Sequence, residues 1–166
     1  MAARSIHSHK QSGVFLLEAL IAILIFSLGI LGMIAMGSAA IAGQTDAAVR
    51  TDAASLAEQL ASKIALGVDR TSDATLATSL AAFSHNPLST GPYCAFTPAA
   101  SAAPVVTAWL ATLSGPNGLP GAGAADQSIV VDTSAAGYNS VLITMCWKGP
   151  HDLGKRRFMT TVYVNR

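Results

Sequence analysis

A single acidic residue, Glu18, lies inside a stretch that otherwise has no charge. Residues 14 to 43 contain no other charged side chain. A carboxylate at bilayer depth costs about 2.5–3.5 kcal/mol even on a lenient insertion scale. Such a carboxylate is tolerated when a cation pairs with it. The sequence therefore predicts a specific cationic partner for Glu18; the alternative is a glutamate that reaches the membrane interface from a helix end.

The two cysteines, Cys94 and Cys146, form the second candidate pair. A disulfide between them would close a long loop and would stabilise the fold by about 4 kcal/mol in the chain-entropy model. It would also require an oxidising compartment. Two reduced, buried thiols are the alternative. A metal site is not expected, because neither cysteine belongs to a Cys-x-x-Cys motif or lies near a spaced histidine pair.

The remaining polar residues do not suggest catalysis. His7 and His9 precede the apolar stretch, and His85 and His151 lie in predicted loops, where we expect them on the surface. The sequence contains no Gly-x-Ser-x-Gly motif and no recognisable Ser/His/Asp grouping. The glycine-rich segment 119–123 lacks the Lys-Ser/Thr of a phosphate-binding loop and predicts a flexible connector. We expect no enzymatic activity and no cofactor.

One short basic run, Lys155–Arg157, is the only candidate for nucleic-acid contact. The formal net charge is +1, so the chain as a whole has no field that would attract nucleic acid. Three basic residues at a turn are more typical of a solvated strand edge that discourages edge-to-edge pairing. Nucleic acid is therefore not an expected partner.

The stretch that contains Glu18 is long enough to cross a membrane. A spanning helix needs about 20 apolar residues, and residues 14–43 exceed that length. No Lys or Arg occurs between Lys10 and Arg50. The excess of basic residues before the span predicts a cytoplasmic N-terminus, with the rest of the chain on the other side. Only 11% of the residues are charged, against about 25% in ordinary soluble domains.

A secretory signal peptide is one alternative for this segment, with Ala40-Ile41-Ala42 as its small-x-small cleavage site. An unprocessed signal anchor is another. The apolar stretch is about twice as long as the usual 7–15-residue apolar region of a signal peptide. Glu18 also adds a cost from which a secretion signal gains nothing.

The segment Gly13-Val14-Phe15-Leu16-Leu17-Glu18 resembles the processing motif of type IV prepilins and type II secretion pseudopilins. The resemblance implies that residues 1–13 are a leader, which the prepilin peptidase removes between Gly13 and Val14. The same enzyme then N-methylates Val14. Glu18 becomes the fifth residue of the mature chain, the charged position of the family. Val14 departs from the family pattern, which usually has Phe there.

The resemblance also implies a partner for Glu18 and a place in the cell. The new α-amino group has a reference pKa of about 7.7–8.0, so it is mostly cationic near neutral pH. In a filament, this amine pairs with Glu18 of a neighbouring subunit and sets the axial register. The implied location is the bacterial inner membrane, single-pass with a periplasmic head, and then the extracellular pilus. The implied partners are membrane lipid, other major and minor pilins, and the inner-membrane assembly platform.

Beyond the membrane segment, the helical pattern continues as an amphipathic helix over residues 44–68. Apolar residues recur at spacings of three and four, which predicts one buried stripe. Gly67 is a candidate C-cap. The stripe consists of Val49, Ala53, Leu56, Leu60 and Ile64.

Residues 69–166 predict a globular head. Short helices are expected at 72–83, with Ser72 as the N-cap, and at 104–113, with Pro104 in the first turn. Segments 86–104 and 115–125 predict loops. Three strand patterns follow, at 127–133, 138–147 and 157–164, and their short connections favour an antiparallel meander that covers the helix stripe. The predicted fold class is α+β, pilin-like: a long N-terminal helix packed on a small C-terminal antiparallel sheet.

The sequence of the head makes the resemblance more specific. Trp109, the LPGAG segment, the IVVD segment and Trp147 follow one another in an order similar to that of PilV-type minor pilins, also called type IV pilus modification proteins. Two other functions stay open. A type II secretion minor pseudopilin would share the first forty residues, and an adhesin at the filament tip would use the two predicted loops for recognition.

Overall fold

The computed structural model describes residues 12–91, 93–97, 99–150 and 152–166. Residues 1–11 of the predicted leader, including His7 and His9, lie outside the described residues, as does His151.

The longest element is helix α1, Ser12–Gly67. The chain forms two compact units, and the boundary falls inside α1, between Asp46 and Ala47. In the first unit, the exposed fractions of the large apolar side chains range from 38% at Ile30 to 76% at Met36. The predicted apolar helix is therefore present, and its side chains are not covered by the described part of the chain.

In the second unit, α1 contributes one stripe to the hydrophobic core. Ala53, Ala57, Leu60 and Ile64 are buried there. The sequence predicted Leu56 in place of Ala57, and Leu56 is only partly buried. Either residue completes a series with spacings of three and four between Ala53 and Leu60, so the pattern alone does not choose between Leu56 and Ala57.

Helix α1 ends at Gly67, but not through the left-handed cap that the sequence suggested. Among the described glycines, only Gly121 has a positive φ. A Cβ atom added at Gly67 would lie 3.4 Å from the Phe83 ring. This is an ordinary van der Waals distance, so Gly67 packs against Phe83 and does not reverse the chain.

The two short helices of the head agree with their sequence signals. Helix α2 is Asp73–Ala81, and its N-cap Ser72 forms a capping box with Thr75. Such a cap satisfies amide groups that have no partner inside the helix. Helix α3 is Pro104–Leu113 and begins with its proline, where the missing N–H has no cost.

The sheet of the head is the predicted antiparallel meander. Its strands are β3 (Ser128–Asp132), β4 (Ser140–Trp147) and β5 (Arg156–Tyr163), with β4 in the centre. A short hairpin of β1 (Leu88–Ser89) and β2 (Phe96–Thr97) precedes them. The sequence predicted only a loop there, because two-residue strands leave no periodic pattern.

One face of the sheet joins α1 and α3 in a single core. The inward residues of β4 are fully or almost fully buried, and those of β5 are partly buried. The stripe of α1 belongs to the same hydrophobic cluster. The inward residues of β4 are Val141, Ile143, Met145 and Trp147, and those of β5 are Phe158, Thr160 and Val162.

Segment 119–123, predicted as a flexible connector, is packed against the end of β4. The backbone N–H of Lys148 donates to the Pro120 carbonyl at 2.9 Å. Gly121 has φ +61°, and a Cβ atom there would lie 2.7 Å from the Lys148 carbonyl oxygen. The glycine is required by this close approach, which the sequence did not indicate.

Candidate functional site

The residues singled out at the N-terminus lie in the first turns of α1. Gly13 and Val14 follow the first helical residue, Ser12. Glu18 is four residues beyond Val14, so the two side chains lie on the same helix face, about 6 Å apart along the axis. The helix therefore brings together the predicted cleavage position and the predicted charged position.

Glu18 itself is exposed. Among the residues that the structure describes, none forms a hydrogen bond or an ion pair with its carboxylate. Its predicted cationic partner is therefore not supplied by the described part of the same chain. A partner could come from residues outside that part, from another molecule, or from a change in the chain, such as a new terminus.

The helix around Glu18 is apolar on all sides. Val14, Phe15, Leu17 and Leu20 are each at least 60% exposed, and Ile21 is half exposed. A helix that is apolar all round requires lipid or other helices as its surroundings. Within the described residues, α1 is the one helix long and apolar enough to cross a membrane.

Two hydroxyl groups of this helix are bonded within it. The Ser27 hydroxyl donates to the Ile23 carbonyl at 2.7 Å, and the Thr45 hydroxyl donates to the Ile41 carbonyl at 3.0 Å. A hydroxyl group that is paired within its own helix can enter hydrocarbon without an unpaired donor. These two side chains are therefore compatible with lipid around the helix.

The four glycines of this segment leave the helix backbone accessible. A Cβ atom built at any of them meets nothing within 4 Å. The sequence left open whether they permit close helix–helix approach or are simply tolerated. The structure leaves space for a neighbouring helix, and the helix continues through all four positions. They are Gly29, Gly32, Gly37 and Gly43.

In the head, Cys94 and Cys146 are joined by a disulfide, with their Cα atoms 6.0 Å apart. Cys146 lies in the central strand β4 and is fully buried. Cys94 follows Tyr93 between β1 and β2, and both residues have positive φ angles. The bond ties the small hairpin to the sheet.

Next to the disulfide, Gln127 extends the pairing of β3 with β4 through its side chain. Its amide nitrogen donates to the carbonyls of Cys146 (2.9 Å) and Gly123 (3.0 Å), and its amide oxygen accepts from the Cys146 N–H at 3.0 Å. Gln127 is fully buried. The strand pattern at 127–133 includes this residue but gives no signal of its role.

His85 is buried, with only 2% of its surface exposed, so the prediction of a surface histidine was wrong. Its Nδ1 accepts from the Ser101 N–H at 3.1 Å, and its Nε2 lies 3.0 Å from the Ala124 carbonyl oxygen. Its backbone pairs with Ile129 of β3. The local sequence indicates a loop, and this loop runs along the edge of the sheet at β3. The His85 side chain is buried there.

The basic run is partly neutralised inside the head. Lys155 pairs with Asp126, and Arg156 pairs with Asp152 at 2.8 Å. Arg156 and the Gly149 N–H hold the pKa of Asp152 below its ordinary value of 3.8. Because the folded-state pKa is lowered, this pair stabilises the head above that value and loses its effect as the pH falls through the lowered pKa.

The described residues provide no cluster of three or more His, Cys, Asp or Glu side chains that could hold a metal ion. Two surface depressions of the head, of about 390 Å³ and about 380 Å³, have no aromatic lining. The first is lined by residues 152–156, and the second by Asp69 and residues of α2. Neither offers the aromatic platform that would favour a recognition site.

Comparisons of the chain with protein-family models, with curated proteins and with solved structures find no match. The functional assignment therefore depends on the residues of α1 and on the chemistry they allow.

Proposed function

We propose that this chain is the precursor of a minor pilin, a structural subunit of a type IV pilus that is inserted in a membrane before assembly. One observation carries the proposal. Glu18 is the single charge in the exposed apolar segment 14–43 of α1, one turn after a Gly13–Val14 bond that resembles the prepilin processing site. The chain acts through assembly and has no catalytic step.

The first step is cleavage between Gly13 and Val14. This bond lies at the start of the described part of α1. Cleavage leaves an α-amino group on Val14, which the peptidase then methylates and which stays mostly cationic near neutral pH.

The second step is pairing of this amine with Glu18 of a neighbouring subunit. Val14 and Glu18 share a helix face, so a neighbour shifted along the axis by about one helical turn would bring its own amine opposite the carboxylate. An unpaired carboxylate in an apolar environment is costly, and a paired one is tolerated. The pair therefore selects one axial register.

The third step is transfer of the helix from lipid into the filament. Lipid tails and neighbouring helices are similarly apolar, so the transfer has little hydrophobic cost. Specificity then comes from packing at the glycines and from the Glu18 pair. The partners in this scheme are the prepilin peptidase, the assembly platform of the bacterial inner membrane, and other major and minor pilins.

The topology is supported by the disulfide of the head. Cys94 and Cys146 are bonded, and such bonds persist in oxidising compartments such as the periplasm. The basic residues before α1 favour a cytoplasmic N-terminus. The proposed sequence of locations is a single-pass inner-membrane protein with a periplasmic head, followed by an extracellular pilus.

The decisive experiment is mass spectrometry of the N-terminus of the protein isolated from membranes. We expect the mature chain to begin at Val14 and to carry one methyl group. A chain that begins at Gly43 would establish a cleaved secretion signal. A precursor that keeps residues 1–13 as its final form would refute the proposal.

The role of Glu18 is tested separately, by the variant Glu18→Ala. We expect normal cleavage but poor recovery in sheared filaments, because the axial register is no longer selected. Glu58→Ala is the matched control, since Glu58 is an exposed glutamate of the same helix, far from the processing site. Equal recovery of both variants in filaments would remove the register role.

A minor pseudopilin of a type II secretion system is the second candidate, because residues 13–18 fit both classes equally. Deletion of the gene separates them. Loss of piliation with normal protein secretion supports the pilin, and loss of secretion with normal pili supports the pseudopilin. The adhesin alternative finds no support in the two depressions described above, which have no aromatic lining.

A further inference from the structure

The two edges of the β3–β4–β5 sheet differ. At the edge of β3, His85 pairs with one residue: its N–H donates to the Ile129 carbonyl at 3.0 Å, and its carbonyl accepts from the Ile129 N–H at 2.8 Å. Strand β5 forms the other edge. Over Arg157–Tyr163, no described backbone segment pairs with its outer side.

The hydrogen bonds identify which groups of β5 face outward. The Val164 N–H donates to the Asn139 carbonyl at 3.1 Å, continuing the β4–β5 register. In an antiparallel pair, alternate residues direct their backbone groups toward the partner. The residues between them direct their N–H and C=O groups to the open edge. These residues are Arg157, Met159, Thr161 and Tyr163.

The free segment has defined ends. Beyond Tyr163, the Arg70 guanidinium donates to the Asn165 carbonyl at 3.0 Å, which occupies the next outward-facing position. Before Arg157, the β4–β5 turn begins. The row of outward-facing groups therefore runs from Arg157 to Tyr163. Its midpoint is Thr160.

Of the usual protections of an edge strand, this row has one charged side chain, Arg157, at its end. Proline, bulges and inward-pointing charges, which blunt many natural edges, are missing from the rest of it. The register with β4 runs without a bulge through all eight residues of β5. Residues 158–163, with the sequence FMTTVY, contain no charge, proline or glycine. An extended strand can add to such an edge through backbone hydrogen bonds alone.

We infer that the β5 edge binds the β5 edge of a second copy of this chain, antiparallel, with Thr160 opposite Thr160. In this register, Arg157 lies opposite Tyr163 of the second copy, and Met159 lies opposite its Thr161. All four outward-facing residues then form hydrogen-bonded pairs. Two bonds in each pair give about eight new hydrogen bonds and one continuous six-stranded sheet.

The side chains favour a second copy over an unrelated strand. The inferred register places Thr160 on the two-fold axis, so both copies use the same residues, as a two-fold interface requires. No like charges face each other, because Arg157 meets an aromatic residue. Arg157 already lies over the Tyr93 ring, 5.9 Å from its centre, so Tyr163 would add a second aromatic contact. On the inner face, Phe158 would lie opposite Val162.

This inference does not depend on the proposed function. A shared membrane would only raise the effective concentration of the two heads. A failure of head pairing would leave the mass of the N-terminus unchanged, so the two proposals fail separately.

The register can be tested with charge pairs in the full-length chain, purified in a non-ionic detergent and measured by analytical ultracentrifugation. The first double variant combines Met159→Lys with Thr161→Lys. Each lysine of one copy then lies opposite a lysine of the other copy, at two places in the interface. We therefore expect the association constant to fall about tenfold. Met159→Lys with Thr161→Glu places opposite charges there instead, and we expect association at or above the level of the unmodified chain.

Leu153→Lys is the control, because Leu153 is fully exposed in the β4–β5 turn outside the paired row. It should leave association unchanged. Equal association of all four proteins would overturn the inference, as would a monomeric unmodified chain throughout the concentration range. Equal weakening by both double substitutions would also overturn it, because the predicted register requires their effects to have opposite signs.

Cross-linking separates head pairing from association of the apolar helices in micelles. In the inferred register, the two Thr160 residues form a pair without hydrogen bonds, with Cα atoms about 4.5 Å apart, which is within the range of a disulfide. Thr160→Cys should give a disulfide-linked dimer under mild oxidation, and Leu153→Cys should not. A monomeric Thr160→Cys, or similar dimer yields from both variants, would overturn the inference.

Discussion

At the scale of single residues, Glu18 and Gln127 are both polar groups in apolar surroundings, but they differ in their hydrogen-bond partners. Gln127 is fully buried, and its amide makes hydrogen bonds inside the head. Glu18 has no partner among the described residues of its own chain. A buried polar group is stable when it is hydrogen-bonded. The difference identifies Gln127 as part of the fold and makes Glu18 the candidate for contact with another molecule.

The role of Gln127 is testable by Gln127→Leu, which keeps the approximate volume but leaves both backbone groups of Cys146 without this partner. We expect the free energy of unfolding to fall by about 1–3 kcal/mol, the usual cost of unsatisfied buried groups. Urea titration of the full chain in detergent measures this, with the fluorescence of Trp109 and Trp147 as the signal. Both tryptophans are buried in the head.

Gln59→Leu is the control for this measurement. Gln59 is exposed on α1 and makes only one bond, of 3.4 Å, to Ser55. Substitutions at such positions change stability by less than about 0.5 kcal/mol. Equal effects at the two positions would show that the hydrogen bonds of Gln127 do not stabilise the head.

At the scale of elements, the head depends on links between segments that are distant in sequence. The β1–β2 hairpin is joined to the central strand β4 by the Cys94–Cys146 disulfide, across a sequence separation of 52 residues. Helix α3 contacts α1 through the Trp109 indole N–H, which donates to the Leu56 carbonyl at 3.0 Å. The sheet and helices therefore form one core only after these distant segments meet.

The contribution of the disulfide is testable by the double variant Cys94→Ala and Cys146→Ala. The lost cross-link should lower the free energy of unfolding by about 4 kcal/mol, because the unfolded chain regains the entropy of a loop of this length. Urea titration measures the change. A reducing agent should destabilise the unmodified protein similarly and leave the variant unaffected; a variant as stable as the unmodified chain would contradict this account.

At the scale of the whole molecule, the chain divides into an apolar helical unit and a globular unit at Asp46 and Ala47. Every residue of the hydrophobic core cluster belongs to the second unit. Apolar side chains of the first unit make no contribution to that core. The described core of the head is therefore formed without side chains of the first unit.

This separation predicts that residues 47–166, expressed in an oxidising compartment, fold without the first unit. We expect cooperative thermal unfolding, and recovery in the aqueous phase of a detergent phase separation. The full-length chain, as the control, should enter the detergent phase because of its apolar helix. A fragment that aggregates or unfolds without a cooperative transition would show that the head requires the first unit.

The sequence by itself determined the features that arise from neighbouring residues. The apolar run of α1, the Ser72 cap, the proline at the start of α3 and the alternation in β4 and β5 all express local chemistry. Periods of 3.6 and 2 residues and capping groups act within one or two turns. The boundaries of α3 and the order of the meander were therefore predictable.

Only the tertiary structure decided the features that arise from distant residues. His85 is buried because its loop crosses the edge of β3, and Gln127 bonds to Cys146 because β3 and β4 are adjacent. Gly67 packs against Phe83, and the edge of β5 is left open because the meander ends there. A side chain's burial and hydrogen-bond partners depend on which segments pack together, and no local pattern encodes that choice.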